Sequence, residues 1–221
     1  MIFSPNLSIL PPPQLRLWPE LDATPATFTL YGGTALALRL GHRTSVDFDF
    51  FSNQPFDPDD LADALPYLKG AERVQVGPNT LTCRVERDGP VLLSFFGGLG
   101  QVTPRDQAEG RSIYLASLLD IAGTKVAVIQ KRAEVKDYLD IDALLQHGVD
   151  LPNALAAGSV VYGRSFNPMI ALKALSFFDD LPTLSIDVRK RLSIAVASVD
   201  PASLPILTPY AKRTDENEPT S

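Results

Sequence analysis

The spacing of apolar residues divides the chain into a first half of short strands and helices and a second half of helices. Runs rich in aliphatic and aromatic residues predict four strands, at 27–30, 45–51, 80–87 and 91–96. Asp88-Gly89 is a strong hairpin turn and joins the last two strands. Helical spacing predicts two helices in the same half, at 34–40 and 58–68. We expect Thr34 to cap the first of them and Pro66 to kink or shorten the second.

From residue 112 onward the apolar positions repeat at helical spacing. Positions 115, 118, 119, 122, 126 and 129 form one stripe within a predicted helix at 112–132. Further helices are predicted up to about residue 147 and at 151–161, 167–178 and 186–199. The predicted fold class is therefore α+β, a mixed sheet with flanking helices followed by a helical C-terminal half. We expect a core at 1–110, a helical part at 111–204 and a flexible tail at 205–221.

Composition narrows the class of protein. The 221 residues are 45% hydrophobic and 21% charged, which is ordinary for a globular protein with a substantial core. A net charge of −6 argues against non-specific coating of nucleic acid. The one cysteine, Cys83, excludes an internal disulfide and fits a reducing compartment. The sequence has neither an apolar run long enough to span a membrane nor the features of a signal peptide, so we expect a cytoplasmic protein without a membrane partner.

Asp47 and Asp49 are the first candidates for chemistry, because they lie in an otherwise apolar predicted strand. Side chains alternate along a strand, so both carboxylates point to the same face, with Cα atoms about 6.6 Å apart. Oxygen ligands favour Mg²⁺, and carboxylates so arranged can bridge two cations about 3.5–4 Å apart for displacement at phosphorus. The structural alternative is that the two acids pair with Arg39 and Arg43.

A glycine turn precedes these acids. Gly32, Gly33 and Thr34 follow the first predicted strand and open the first predicted helix. Glycine lets backbone N–H groups approach an anion closely, and the positive end of the following helix points toward that anion. The Thr34 hydroxyl adds one hydrogen bond. The same three residues serve equally well as a simple helix-entry turn.

A third group of candidates lies at 125–140. Lys125 and Arg132 are seven residues apart, so two helical turns place both cations on one side, where they can meet a triphosphate. Lys136 and Asp137 then open the next helix, with Asp140 three residues after Asp137. The structural alternatives are that Asp137 is the N-cap of that helix and that the two cations are solvated or in salt bridges.

Three segments together resemble a known superfamily. GGTALALRLGHRTSVDFDFF, at 32–51, resembles the glycine–hydroxyl motif and Asp-x-Asp of the minimal nucleotidyltransferases with the polymerase-beta-like fold. KVAVIQKRAEVKDYLDIDALL, at 125–145, is similar to the Lys…Arg…Lys-Asp-x-x-Asp signature of their AbiEii/AbiGii toxin branch. NPMIALKALSFFDD, at 167–180, also resembles that branch. The combination is specific, although each part alone is not.

The resemblance implies a nucleotidyltransferase-like sheet and an enzyme that uses a nucleoside triphosphate with Mg²⁺. It would transfer the nucleoside monophosphate to an RNA hydroxyl, in some relatives at tRNA ends, or to a protein hydroxyl, and its partner would be a cognate antitoxin. The implied metal ligands are Asp47 and Asp49. The implied nucleotide- and phosphate-binding residues are Gly32, Gly33, Thr34, Arg43, Lys125, Arg132 and Lys136. Asp137 would orient the acceptor or stabilise its motif, and it completes the predicted catalytic set of Asp47, Asp49, Lys125 and Asp137.

One position departs from the superfamily pattern. Its members usually carry a third carboxylate on a later strand, and Ser94 in VLLSFF stands at that place. A neutral hydroxyl replaces neither a metal-binding carboxylate nor a general base, and Glu86 would have to project inward to take over. Three hypotheses follow: an active nucleotidyltransferase, a nucleotidyltransferase fold that binds nucleotide or a partner without turnover, and a small protein in which the acids form a structural network with arginines.

Overall fold

The computed structural model describes residues 1–211 and divides them into two units. Met1–Gly100, Pro104–Ala116 and Ala211 belong to the first unit, and Gln101–Thr103 with Ser117–Tyr210 to the second. Of the predicted tail, residues 212–221 lie outside the described residues. The boundaries predicted at residues 110 and 204 stay predictions. Within residues 1–211, no helix has both the length and the apolar character needed to cross a membrane.

The described part of the first unit contains a mixed eight-stranded sheet. Its strands are β1 (Ile2–Phe3), β2 (Thr29–Tyr31), β3 (Asp47–Phe51), β4 (Glu72–Gly77), β5 (Thr80–Glu86), β6 (Pro90–Phe96), β7 (Asp106–Ala108) and β8 (Tyr114–Leu115). Their order is β1-β7-β8-β2-β3-β6-β5-β4. At the centre, β3 and β6 are parallel, and β2 and β5 flank them in antiparallel pairing. The sheet confirms the predicted α+β class, although β1, β4, β7 and β8 are not predicted from the sequence.

Three α-helices accompany the sheet within the described part of this unit: α1 (Pro12–Leu17), α2 (Gly32–Leu40) and α3 (Pro58–Ala64). Asp57 caps α3, accepting hydrogen bonds from the N–H groups of Asp59 and Asp60. The predicted helix at 58–68 is shorter than its apolar spacing indicates, because Pro66 starts a separate 3₁₀ turn at Pro66–Leu68. The expected effect of Pro66 is therefore confirmed.

One face of the sheet carries the apolar core of the first unit. Phe48 and Phe50 of β3 are fully buried, and the Phe50 ring stacks on Phe95 of β6 with 5.3 Å between centroids. Trp18 lies 6.2 Å from Phe48 on the same face. Because side chains alternate along β3, its other face presents Asp47 and Asp49, which are only partly buried. The prediction that both acids share one face is confirmed.

The described part of the second unit is helical: α4 (Leu118–Val128), α5 (Val135–Gln146), α6 (Leu151–Tyr162), α7 (Pro168–Leu175) and α8 (Ile186–Ala197). The helix predicted at 112–132 begins only at Leu118, where Ser117 caps it by accepting a hydrogen bond from the Asp120 N–H. Helices α4 and α6 cross closely at Gly123. A Cβ there would lie 2.9 Å from the carbonyl carbon of Ala157 and from the nitrogen of Gly158. Small residues therefore set this helix crossing.

Candidate functional site

Asp49 of β3 lies in a row of polar side chains that crosses the central strands. Strand register places Tyr31 opposite Asp49 on one side and Ser94 opposite Asp49 on the other. Thr82 of β5 stands opposite Ser94 in turn. Residues opposite one another in a sheet share a face. Asp49 is therefore the charged member of a row of four whose other three members are neutral.

The first turn of α2 packs against this row. Gly32 has φ +71°, a left-handed conformation that favours glycine, and a Cβ there would overlap the Asp49 carboxylate. A Cβ on Gly33 would overlap the guanidinium of Arg43 and lie 3.0 Å from Ser45 Oγ. The two glycines thus let a carboxylate and a guanidinium approach the beginning of the helix. The positive end of the helix dipole stabilises the carboxylate at this place.

Thr34 has a different role from the predicted one. Helix α2 begins at Gly32, and Tyr31 is its N-cap residue, without a side-chain capping hydrogen bond. Thr34 is buried inside the first turn, and its hydroxyl donates a hydrogen bond to the backbone carbonyl of Asp47. The prediction of Thr34 as the N-cap is therefore wrong. The hydrogen bond that its hydroxyl donates links α2 to β3.

Arg39 is not a partner of the two acids, so this part of the structural alternative is wrong. Its Nη2 lies 2.8 Å from Asp106 Oδ2, and its Nε donates to the carbonyl of Ala116. Burial raises the pKa of Asp106, but hydrogen bonds from Arg39 and the N-terminal amine outweigh that effect and lower it overall. Arg43 donates from Nη1 to the carbonyl of Thr44 at 2.9 Å. Its guanidinium thereby stays beside Gly33.

The second unit holds its predicted residues in a buried ionic network. Lys125 Nζ lies 2.9 Å from Asp137 Oδ1 and 2.6 Å from Asp140 Oδ2. Arg132 Nε lies 2.9 Å from Asp137 Oδ2. Both carboxylates are fully buried, and the side chain of Lys125 is 7% exposed. Two cations thus face the two buried carboxylates, as buried charges require, and on its exposed side Arg132 also pairs with Glu134 at 3.2 Å.

This network decides between the structural alternatives for the second unit. Glu134 is the N-cap residue of α5, so the alternative that Asp137 caps this helix is wrong. The alternative that Lys125 and Arg132 are in salt bridges is confirmed. Lys136 lies at the exposed edge of the network and contacts neither buried carboxylate: its Nζ pairs with Glu134 at 2.9 Å, and Glu134 in turn lies 3.2 Å from Arg132 Nη1. The sequence signal for the network is the three-residue spacing of the two aspartates, which places them on one side of α5.

The place of the missing third acid is occupied by two hydroxyls. Ser94 Oγ accepts a hydrogen bond from Thr82 Oγ1 at 3.3 Å, and both residues are more than nine-tenths buried. Glu86 is exposed at the far end of β5, opposite Pro90, so it does not supply the acid. The sequence alone does not predict Thr82 as a neighbour of Ser94, because only the strand register brings the two residues together.

The donor set at β3 fits a hard divalent cation. Within residues 1–211, no group of three or more His, Cys, Asp or Glu side chains is arranged to hold a metal ion. Asp47 and Asp49 nevertheless offer carboxylate oxygens on one partly exposed face. Mg²⁺ is commonly held by one or two carboxylates, with waters and substrate phosphates as its other ligands. Two carboxylates are therefore sufficient for one such ion.

Comparison of the sequence with known proteins identifies its relatives. The family described as "Nucleotidyl transferase AbiEii toxin, Type IV TA system" matches residues 19–201, which is most of the chain. An uncharacterized protein from Aquifex aeolicus (strain VF5) is 32% identical over 157 residues. That alignment covers 69% of this chain and 74% of the relative.

Solved structures share the fold. MenT4, a nucleotidyltransferase toxin from Mycobacterium tuberculosis H37Rv, superposes with a TM-score of 0.56 at 16% identity, over 85% of this chain and 82% of that one. An antigenic nucleotidyltransferase-like protein from Paracoccidioides brasiliensis gives a TM-score of 0.53 at 17% identity, over 88% and 94% of the two chains. At these identities the likeness concerns the fold alone.

Proposed function

Because the chain belongs to the AbiEii family of nucleotidyltransferase toxins, we propose that it transfers a nucleoside monophosphate from a nucleoside triphosphate to a hydroxyl of an RNA or a protein. Asp47 and Asp49 would hold Mg²⁺. The observation that carries the proposal is the packing of the Asp49 carboxylate against Gly32. It puts a cation ligand beside a helix N-terminus, and a helix N-terminus favours phosphate.

The proposed reaction is a displacement at the α-phosphorus. The acceptor oxygen bonds to the α-phosphorus, the bond from that phosphorus to the bridging oxygen breaks, and pyrophosphate leaves with the electron pair. The hydroxyl proton passes to water. Bound Mg²⁺ supplies charge neutralisation on the phosphates.

The chain contributes binding and orientation to this reaction. Asp47 and Asp49 present their oxygens on one face of β3. Because neither glycine has a side chain, the Asp49 carboxylate and the Arg43 guanidinium can both lie against the first turn of α2. Arg43, whose guanidinium lies against Gly33, would neutralise a phosphate oxygen there. Thr34 contributes indirectly, by holding β3 against α2.

The roles that the family resemblance implies for residues of the second unit remain predictions. They are a triphosphate contact for Lys125, support of that contact for Arg132 and an orienting role for Asp137. Lys125 is committed to Asp137 and Asp140 in the structure. We therefore propose that its first role is to hold α4 to α5. Arg132 and Lys136, with side chains 44% and 47% exposed, are better placed to reach an anion from solvent.

We further propose a cognate antitoxin protein as the partner, because the family is that of a type IV toxin–antitoxin system. Expression of the chain alone should slow growth of a bacterial host, and co-expression of the antitoxin should relieve the effect. Growth that is unaffected by the wild type and by the Asp49→Asn variant alike would contradict a toxic activity of this site.

Label transfer tests the proposed reaction. The protein is incubated with Mg²⁺, total RNA and each α-³²P nucleoside triphosphate in turn, and label is then followed in RNA and in protein. Asp47→Asn and Asp49→Asn should abolish transfer while the circular dichroism spectrum is unchanged. Asp60→Asn is the matched control, because Asp60 is an exposed acid on α3. Equal transfer by the wild type and the two site variants would overturn the assignment.

The hydroxyls at the third position favour a second candidate function. A site without the third carboxylate can retain nucleotide binding while it loses turnover, because Ser94 offers neither a negative charge nor a base. A triphosphate at about 100 times its Kd should raise the apparent stability by about 2.7 kcal/mol. Stabilisation by a triphosphate with Mg²⁺, without label transfer to any acceptor, would establish this second function in place of the first.

A further inference from the structure

We propose that two aromatic side chains on the Asp49 face of the sheet, Phe51 of β3 and Phe96 of β6, form a platform on which the base of a bound nucleotide stacks. This inference rests on the proposed function. It adds the residues that would hold the base to those that would hold the phosphates. The platform of Phe51 and Phe96 lies within the first unit.

Both strands break their alternation of residue types at the same level of the sheet. Strand β3 reads DFDFF, so its period-two pattern of acids and phenylalanines would place a polar residue at position 51. In β6, Phe95 is fully buried on the core face, and the next residue, Phe96, therefore points to the other face. Strand register pairs Phe51 with Phe96 and Asp49 with Ser94. The two rings thus lie side by side on the face that presents Asp49.

Aromatic contacts fix the two rings and leave them partly exposed. The ring of Tyr31 stacks on that of Phe51, with 4.6 Å between centroids and 16° between planes. The rings of Phe51 and Phe96 meet edge to face, at 5.4 Å and 88°. Tyr31 is 3% exposed, whereas Phe51 and Phe96 each keep part of their surface accessible. A flat aromatic ligand that covers this apolar surface would remove it from water, which is favourable.

The position of the platform relative to Asp49 suits a nucleotide. Residues 49 and 51 are two positions apart on one strand, so their Cα atoms are about 6.6 Å apart. In a nucleotide one ribose separates the α-phosphate from the base, and a sugar ring spans a distance of this order. The first turn of α2 contacts β3 at Asp49, where a Cβ on Gly32 would overlap the carboxylate. A phosphate held through a cation at Asp49 therefore leaves the base at the level of Phe51 and Phe96.

The two phenylalanine rings carry no hydrogen-bonding group. They can contact the face of a base, but they cannot distinguish the donors and acceptors at its edge. Stacking on an aromatic side chain is tolerant of base identity, because every base has a π-face. The platform therefore adds affinity for all four nucleotides and does not rank them.

Titration calorimetry with ligands that have or lack a base tests the inference without requiring activity. The ligands are the α,β-methylene triphosphates of the four nucleosides and their abasic analogue, in which hydrogen replaces the base, each with Mg²⁺. Phe96→Leu removes the ring and keeps an apolar side chain. It should raise the Kd of all four nucleotides by about 5- to 150-fold and leave that of the abasic analogue unchanged. Phe96→Tyr keeps the ring and should bind the nucleotides as the wild type does.

Phe56→Leu is the matched control for Phe96→Leu. Phe56 is also partly exposed, and its ring also meets a neighbour edge to face, at 5.3 Å from Phe28. It belongs to a different aromatic cluster, because Phe28 in turn contacts Phe95 of the core. We expect Phe56→Leu to leave the Kd of every ligand unchanged.

The possible results separate the inference from the function on which it rests. Equal Kd values of the nucleotides and the abasic analogue in the wild type would overturn the inference and leave the proposed function standing. So would equal effects of Phe96→Leu and Phe56→Leu, or a Kd of the abasic analogue that rises as much as that of the nucleotides in Phe96→Leu. A wild-type protein that binds none of these ligands would overturn the proposed function and the inference together. The wild-type comparison decides even where Phe96→Leu does not fold.

Discussion

Replacement of Gly32 by alanine tests the contact on which the candidate site depends. Gly32 and Gly70 both have left-handed backbones, with φ +71° and +77°. A Cβ on Gly70 would meet nothing within 4 Å, whereas a Cβ on Gly32 would overlap the Asp49 carboxylate. Gly70→Ala is therefore a matched control, since it carries the same backbone cost without the overlap.

The two substitutions should differ by the cost of displacing Asp49. A left-handed conformation costs a residue with a Cβ roughly 1–2 kcal/mol, and this applies to both variants. Overpacking adds typically 1–3 kcal/mol, and this applies to Gly32→Ala alone. We therefore expect Gly32→Ala to lower the free energy of unfolding by about 2–5 kcal/mol and Gly70→Ala by about 1–2 kcal/mol.

Urea unfolding followed by tryptophan fluorescence measures these differences in stability in the first unit, which contains Gly32 and Gly70. Trp18 is the one tryptophan of the chain, and it is buried against Phe48 in the first unit, so its fluorescence reports the unfolding of that unit. In an Asp49→Ala background the carboxylate is gone and only the Cβ of residue 49 stays close, at 3.3 Å, so most of the excess cost of Gly32→Ala over Gly70→Ala should disappear. Equal costs of the two glycine substitutions in the wild-type background would refute the contact. So would an excess that is unchanged in the Asp49→Ala background.

Three further predictions concern other parts of the chain. Lys125→Met should destabilise the protein by about 3–5 kcal/mol in urea unfolding followed by circular dichroism, because it removes the ammonium from two buried carboxylates, of which Asp137 keeps Arg132. Lys136→Met, at an exposed pair, should cost less than about 1 kcal/mol, and similar costs of the two substitutions would contradict the burial of the network. Burial raises the pKa of the Cys83 thiol, so a thiol reagent should react with it far more slowly in the native protein than in urea, and equal rates would contradict this burial. The hydrogen bond from Arg87 lowers the pKa of Glu20 below its ordinary 4.5, so the pair stabilises the fold above about pH 4.5 and stabilises it less as the pH falls. Glu20→Gln should therefore make the urea midpoint depend less on pH in the acid range, and an unchanged slope would contradict the pairing.

The central strands are predictable because burial imposes a pattern on their sequence. β3 reads as an alternation of acids with buried phenylalanines, and the Asp88-Gly89 turn fixes the pairing of β5 with β6. β4 has no such pattern, because it is the edge strand and its Val74 and Val76 are about half exposed. The remaining unpredicted strands are two or three residues long, which is too short for any periodicity to appear.

The candidate site was predictable as a set of residues but not as a set of contacts. Asp47 and Asp49 follow from strand alternation, which is a local property. The overlap of the Asp49 carboxylate with the space above Gly32 depends on how α2 meets β3, thirteen or more residues along the chain. Thr34 illustrates the same limit. Its local sequence suits an N-cap, but the left-handed Gly32 starts the helix two residues earlier and turns the hydroxyl toward the Asp47 carbonyl.

The burial of Lys125 changes what a loss of activity at this residue would mean. Its ammonium neutralises Asp137 and Asp140, and removal of one partner from such a network costs several kcal/mol, a large part of the 5–15 kcal/mol that holds a domain folded. A Lys125→Met variant would thus lose activity by unfolding whether or not Lys125 touches a phosphate. The triple variant Lys125→Met, Asp137→Asn, Asp140→Asn separates the two causes, because it removes the ammonium together with the charges of both carboxylates that it contacts. If that variant is folded and binds triphosphate as the wild type does, the ammonium acts through the fold; if it is folded and its Kd for triphosphate rises tenfold or more, the predicted phosphate contact is supported.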